Sequence, residues 1–125
     1  MTTYEIPGER VKSLESFWSV IGEVVNGPGG CFGNNLDAFA DCLSGGFGTP
    51  DDGFSFRRLR HAVSAQQLGY AETVRQLERR LASSHPSNRA TIETQLVRAQ
   101  RKEGPTVFDW ITEVIRHRGI LLELT

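Results

Sequence analysis

Gly33-Asn34-Asn35-Leu36-Asp37-Ala38-Phe39-Ala40-Asp41-Cys42-Leu43-Ser44-Gly45 reads as a helix with both ends written into the sequence. Asn34 or Asn35 can cap the first unpaired N–H groups with a side-chain oxygen. Gly45-Gly46 supplies a left-handed stop. At about 100° per residue, Leu36, Phe39, Ala40 and Leu43 gather on one side as the buried stripe. Asp37 and Asp41 lie together on another side, at i and i+4. Like charges at that spacing cost about 0.2–0.5 kcal/mol, and no Lys or Arg on the helix relieves them. The helix dipole favours Asp37 in the first turn and opposes Asp41 in the last. The simple reading is a solvated acidic face. The sharper one is an anionic surface held for a cationic partner, because functional sites are where local choices oppose stability.

Outward from this helix, eight of the 13 glycines fall between Gly27 and Gly53, so two flexible loops frame it. Upstream, Thr3–Ile6 alternates and ends at Pro7-Gly8, a short strand and a turn. Ser13 caps an amphipathic helix to Val25, with Leu14, Phe17, Trp18, Ile21, Val24 and Val25 at helical spacing. Downstream, Phe54-Ser55-Phe56 with Leu59 reads as a strand, interrupted by arginines. One helical stripe, Leu68, Ala71, Val74, Leu77 and Leu81, runs from about Ser64 to Ser83. His85-Pro86-Ser87-Asn88 breaks it, and Ser87 or Asn88 caps a further helix through Ile92, Leu96 and Ala99. Thr106 caps Val107 to Arg118, Gly119 stops it, and Ile120 to Leu124 is a terminal strand. Helical crossovers favour parallel pairing, which predicts an α/β fold: a small parallel sheet covered by helices.

The 125 residues suit one domain. With 38% hydrophobic and 23% charged residues, the chain has an ordinary globular balance, which argues against disorder. No apolar run approaches the roughly 20 residues of a membrane span, and Met1 to Arg10 lacks the order of a secretion signal. A cytoplasmic location is the expectation. Most of the segment between Cys31 and Cys42 reads as helix, which holds the two thiols too far apart to bridge and predicts reduced cysteines. His61, His85 and His117 are scattered and no Cys or His pair has zinc-ligand spacing, so no metal and no cofactor is expected.

The formal charge of -1 conceals an asymmetry. Ser13 to Phe56 holds six acids and no base, whereas Arg57 to Thr125 holds twelve bases and seven acids. A split of this kind concerns partners rather than fold.

The motif segment closely resembles the central helix of the barstar family, intracellular protein inhibitors of secreted ribonucleases such as barnase. The shared pattern is an aromatic residue, Gly, any residue, Asn-Leu-Asp-Ala, two more, Asp-Cys-Leu, a small hydroxyl residue and Gly. Here these are Phe32, Gly33, Asn35 to Ala38, Asp41 to Leu43, Ser44 and Gly45. The order of elements is similar too, over about 1–60 and again 104–125. Gly69-Tyr70-Ala71-Glu72-Thr73, His85 to Asn88 and Gly104 to Trp110 resemble a longer, actinobacterial-type branch. The resemblance implies a three-stranded parallel sheet in one domain over 1–125, with 68–103 an extra helical hairpin inserted within it.

The resemblance also implies a function. The motif helix and the loop before it plug a ribonuclease active site, in a 1:1 complex with an inhibitor that is monomeric when free. Asp41 takes the place of an RNA phosphate among Arg, Lys and His groups, since a carboxylate accepts paired hydrogen bonds from Arg much as a phosphate does. Asp37 meets a second basic group, Phe32, Gly33 and Asn35 contribute contacts from the preceding loop, and Ser44 and Gly45 form the rim. This chain departs from the pattern in four places. Cys31 and Phe32 stand where barstar has adjacent tyrosines, and Ala40 and Gly46 where it has tryptophans. Aromatic anchors are common hot spots, so a differently shaped partner is expected, with Phe47 a substitute anchor. Glu113 lies beside the position of a glutamate that barstar contributes from a later helix.

Three other readings compete. The first is immunity or interaction with another toxin or partner. The second is an enzyme or metal site on Asp37 and Asp41, which lack a third ligand, a nucleophile or a nearby His in the motif. The third is direct nucleic-acid binding through Arg57, Arg58, Arg60, Arg75, Arg79 and Arg80, whose charges are interleaved with Glu72 and Glu78 and suit solvated helix faces. Trp18 and Trp110 read as core, Cys42 as a structural thiol and His85 as part of a turn.

Overall fold

Thr2–Pro7, Phe54–Leu59 and Leu121–Leu124 (β1, β2 and β3) pair in parallel in the order β1-β2-β3. Thr2 lies opposite Phe54, and Ser55 opposite Leu121. The computed structural model describes residues 2–125. The first crossover carries α1 (Leu14–Asn26) and α2 (Leu36–Leu43). The second carries α3 (His61–Gln67), α4 (Tyr70–Ser83), α5 (Arg89–Gln100) and α6 (Val107–His117). Parallel neighbours need such crossovers, and the expected small sheet covered by helices is the fold observed.

The period of two along β2 explains its arginines. Phe54, Phe56 and Arg58 are buried, while Ser55 and Arg57 turn outward. Arg57 meets Glu5 of β1 at 3.4 Å and Glu123 of β3 at 2.7 Å, tying all three strands on the open face. Arg58 is 1% exposed; its guanidinium lies 4.0 Å from the centre of the Phe108 ring and donates to Thr112 Oγ1 at 3.0 Å. Burial pushes its pKa down to about 10, against the opposing field of Asp109. Both arginines belong to the strand.

Ser13 and Thr106 cap their helices as the sequence predicts, each in a reciprocal capping box. His85 serves its turn, its Nδ1 accepting the Ser87 N–H at 3.2 Å. The single helix expected from about Ser64 to Ser83 is two helices, broken at Leu68-Gly69. The break sends Leu68 fully into the core and frees its carbonyl to accept the Phe108 N–H at 3.2 Å. The buried face of α4 keeps Leu77 of the expected stripe but also takes in Glu72, Thr73 and Gln76, leaving Val74 and Leu81 half-buried and Ala71 exposed.

The reason is a polar junction between α4 and the start of α1. Glu72 is 8% exposed and accepts the Leu14 N–H at 2.8 Å, one of the N–H groups that a helix start leaves without a partner. It also accepts from Arg75 at 2.6 and 2.8 Å and from Gln76 at 3.0 Å. Arg75 and Arg79 reach Glu15 of α1 at 2.7 and 2.8 Å. Burial raises the Glu72 carboxyl, but the Arg75, Leu14 and Gln76 hydrogen bonds outweigh it and hold it below its ordinary 4.5. Glu15 is lowered in the same way, burial being outweighed by Arg75 and Gln76.

Carboxyls lowered by folding contribute stability that is complete above pH 4.5 and lost as pH falls through their folded values. Glu72→Gln is therefore expected to cost about 1–3 kcal/mol at neutral pH, because the buried donors lose their ionic acceptor. Urea denaturation across pH should show the wild type weakening on acidification and the variant weakening less. Parallel acid profiles for the two proteins would place the acid sensitivity elsewhere.

Candidate functional site

The motif helix α2 is fixed at both ends and along one side. Asn35 is its cap, accepting the Ala38 N–H at 2.8 Å. Gly33, with φ +90°, lies so close beneath the helix that a Cβ there would come within 2.7 Å of the Phe39 nitrogen. This is a backbone reason for a glycine. Gly45 and Gly46 follow the helix with φ of 106° and 85°, the predicted left-handed stop.

Phe39, fully buried, packs against Phe17 at 5.5 Å, Trp18 at 5.6 Å and Phe32 at 6.0 Å between ring centres. Cys42 and Leu43 are buried beside it. Burial pushes the Cys42 thiol up, and Cys31 and Asp41 push it the same way. Both cysteines are free.

Asn26, at the last position of α1, links the two loops around α2. Its Nδ2 donates to the Cys31 carbonyl at 2.8 Å and the Phe47 carbonyl at 3.0 Å. In the sequence, Asn26 lies just past Val25, the expected end of the first helix. Its bonding role depends on two loops meeting in space, and nothing local signals it.

Asp37 and Asp41 are both exposed, and among the described residues neither has an ion-pair partner within 4.0 Å. Asn35, Ser44 and Gly46 are exposed beside them, and Gly33, Ala40 and Gly45 are half-buried. Glu113 is exposed on α6 and lines a groove with Leu36 and Ala40 of α2. Phe47 is 53% exposed in the loop after the helix. Phe32 corrects the expectation: it is fully buried against Phe39, so its side chain supports α2 from beneath and presents no contact surface.

The surroundings of α2 are not purely acidic, which the sequence did not reveal. Arg80 of α4 stacks on Trp110 of α6, 4.5 Å from the ring centre. Burial lowers its pKa, and the field of Asp37 opposes that shift. Arg118 donates to Ser44 Oγ at 3.4 Å. These cations lie far downstream of α2, so no spacing rule connects them with it.

A family model described as Barstar (barnase inhibitor) matches residues 1–103. The chain belongs to the barstar family. The match includes α2, its flanking loops and the α4–α5 pair. No curated protein matches the chain. Membership in the barstar family implies a barnase-inhibitor-like function, with a ribonuclease as the class of partner. Among the described residues, no group of three or more His, Cys, Asp or Glu is gathered to hold a metal, and no helix is long and apolar enough to cross a membrane.

Proposed function

We propose that this barstar-family chain inhibits a secreted, guanyl-specific microbial ribonuclease of the barnase or streptomycete type by seating α2 in its cationic active site. Asp41 stands in for an RNA phosphate and Asp37 meets a second basic group. Asn35 and Gly33 contribute from the preceding loop, Ser44, Gly45 and Gly46 from the rim, and Glu113 from α6. The observation that carries this reading is the pair of exposed carboxylates, without ion-pair partners among the described residues, on a helix fixed at both ends. Charge held outward on a rigid element costs little to organise when the partner arrives.

The complex is 1:1, the free inhibitor is a monomer, and it resides in the cytoplasm, where it protects its own cell. Residues 1–125 form one domain with 68–103 as a helical insertion. The mostly exposed surface of α5 supports that reading. The arginines offered for nucleic-acid binding are largely occupied. Arg57, Arg75 and Arg79 are ion-paired, Arg58 is buried and Arg80 is stacked.

Titrating the chain into barnase and into a streptomycete guanyl-specific ribonuclease tests the proposal. RNA cleavage by at least one of them should fall linearly to zero at one equivalent. Full cleavage by both at excess inhibitor would reject this target class. Immunity towards another toxin through the same surface is the second reading; small Ala40 and Gly46 beside the carboxylates favour a partner of different outline.

A further inference from the structure

We propose that the groove between α2 and α6 is a second contact region of this surface, taking an aromatic side chain flanked by a carboxylate from the ribonuclease. The inference rests on α2 being the partner-binding helix. The open groove measures about 510 Å³ and is lined by Leu36 and Ala40 of α2, by Trp110 and Val114 of α6, and by Arg80 and Arg118.

Leu36 and Ala40 immediately precede Asp37 and Asp41 in the sequence. A body resting on the two carboxylates therefore overhangs the groove. Ala40 is too small to fill it, and the Trp110 ring, held by the Arg80 guanidinium, offers a flat apolar wall.

The charges decide the second half of the occupant. Among the described residues, Arg10, Arg57, Arg75 and Arg79 are ion-paired, but Arg80 and Arg118 have no carboxylate within 4.0 Å. Glu113 also lines the groove, and Asp37 of α2 adds its field at Arg80. Guanidiniums that have no carboxylate partner among the described residues and lie beside an apolar wall are complementary to a carboxylate carried next to an aromatic ring. The neighbouring groove, about 560 Å³ and lined by Trp18, shares Arg80 but not Arg118, and its other arginine, Arg79, is bonded to Glu15. The surface as a whole is bipolar: acidic on α2 and basic in the adjoining groove.

The chain has two tryptophans, one on each groove, so 5-fluorotryptophan labelling reports both by ¹⁹F resonance without altering the fold. On adding the unlabelled ribonuclease that the chain inhibits, the Trp110 signal should shift and lose its sensitivity to H₂O/D₂O exchange, while Trp18 stays. Arg118→Gln should weaken binding about tenfold through faster dissociation. A guanidinium that merely stood near an acidic surface would act in the opposite sense, and its removal would leave binding to a cationic enzyme unchanged or tighter. Either that outcome, or an unmoved Trp110 in a complex that still requires Asp41, overturns the groove contact and leaves the α2 reading intact. A Trp110 shift that follows concentration in the free protein assigns the groove to a second copy and also overturns it. Absence of any complex removes both proposals together.

Discussion

Asp41→Ala is expected to weaken the complex with the inhibited ribonuclease by about 2–5 kcal/mol, roughly 30-fold to several-thousand-fold in Kd. The same substitution should leave the fold intact or raise its stability by a few tenths of a kcal/mol. The two signs come from the same geometry. Asp41 is exposed in the last turn of α2, one turn from Asp37, and has no ion-pair partner among the described residues. In the free protein it therefore suffers like-charge repulsion and an unfavourable dipole. In the complex its removal leaves a desolvated Arg or Lys of the enzyme without an acceptor, which is why the loss exceeds that of a surface pair.

Asp37→Ala should show the opposite balance. It loses favourable first-turn placement and the field of Arg80, so stability falls slightly, and the binding loss is smaller. Inhibition kinetics for Kd and thermal melts for stability measure both quantities on the same samples. An Asp41→Ala protein that inhibits as well as the wild type would remove Asp41 from the site.

The sequence displayed what is local. The caps Ser13, Asn35 and Thr106, the glycine stop after α2 and the alternation in β2 are set by neighbours within a few positions, and all are present in the structure. Two of the misreadings share one cause: a long-range polar contact overrode a hydropathy pattern. Of the stripe Leu68, Ala71, Val74, Leu77 and Leu81, Leu68 and Leu77 are buried and Val74 and Leu81 half-buried, but Ala71 is exposed because Glu72 is drawn inward by the N–H of Leu14. Arg58 looked like an interruption, yet a phenyl face and a hydroxyl let it occupy an inward strand position.

At the site, the two carboxylates were legible because a helical wheel places them. Arg80, Trp110 and Arg118 were not, since α4 and α6 meet α2 only in the folded chain. Phe32 was assigned outward by its place in the motif. The aromatic cluster under α2 claims it instead.

That cluster makes Phe39→Ala the substitution with the largest expected effect on stability, about 3–5 kcal/mol. Phe39 has no exposed surface, and the rings of Phe17, Trp18 and Phe32 lie around it at 5.5, 5.6 and 6.0 Å. Deleting the ring loses its burial and its edge-to-face contacts, and it leaves a cavity. Collapse is hindered on one side, where the Gly33 backbone already lies against the Phe39 main chain. The loss is a large share of the roughly 5–15 kcal/mol that stabilises a typical domain.

Urea denaturation should show the midpoint falling with little change in slope. Inhibition should weaken as well, although Phe39 touches no partner, because α2 loses the packing that aims Asp37 and Asp41. Phe32→Leu isolates the coupling: combined with Phe39→Leu, its effect should depart from additivity by more than about 0.5 kcal/mol, as expected of side chains in contact. Strict additivity, or a Phe39→Ala cost below about 1 kcal/mol, would mean that the buried side of α2 is held by Leu43 and its caps. The aromatic cluster would then not set the geometry of the acidic face.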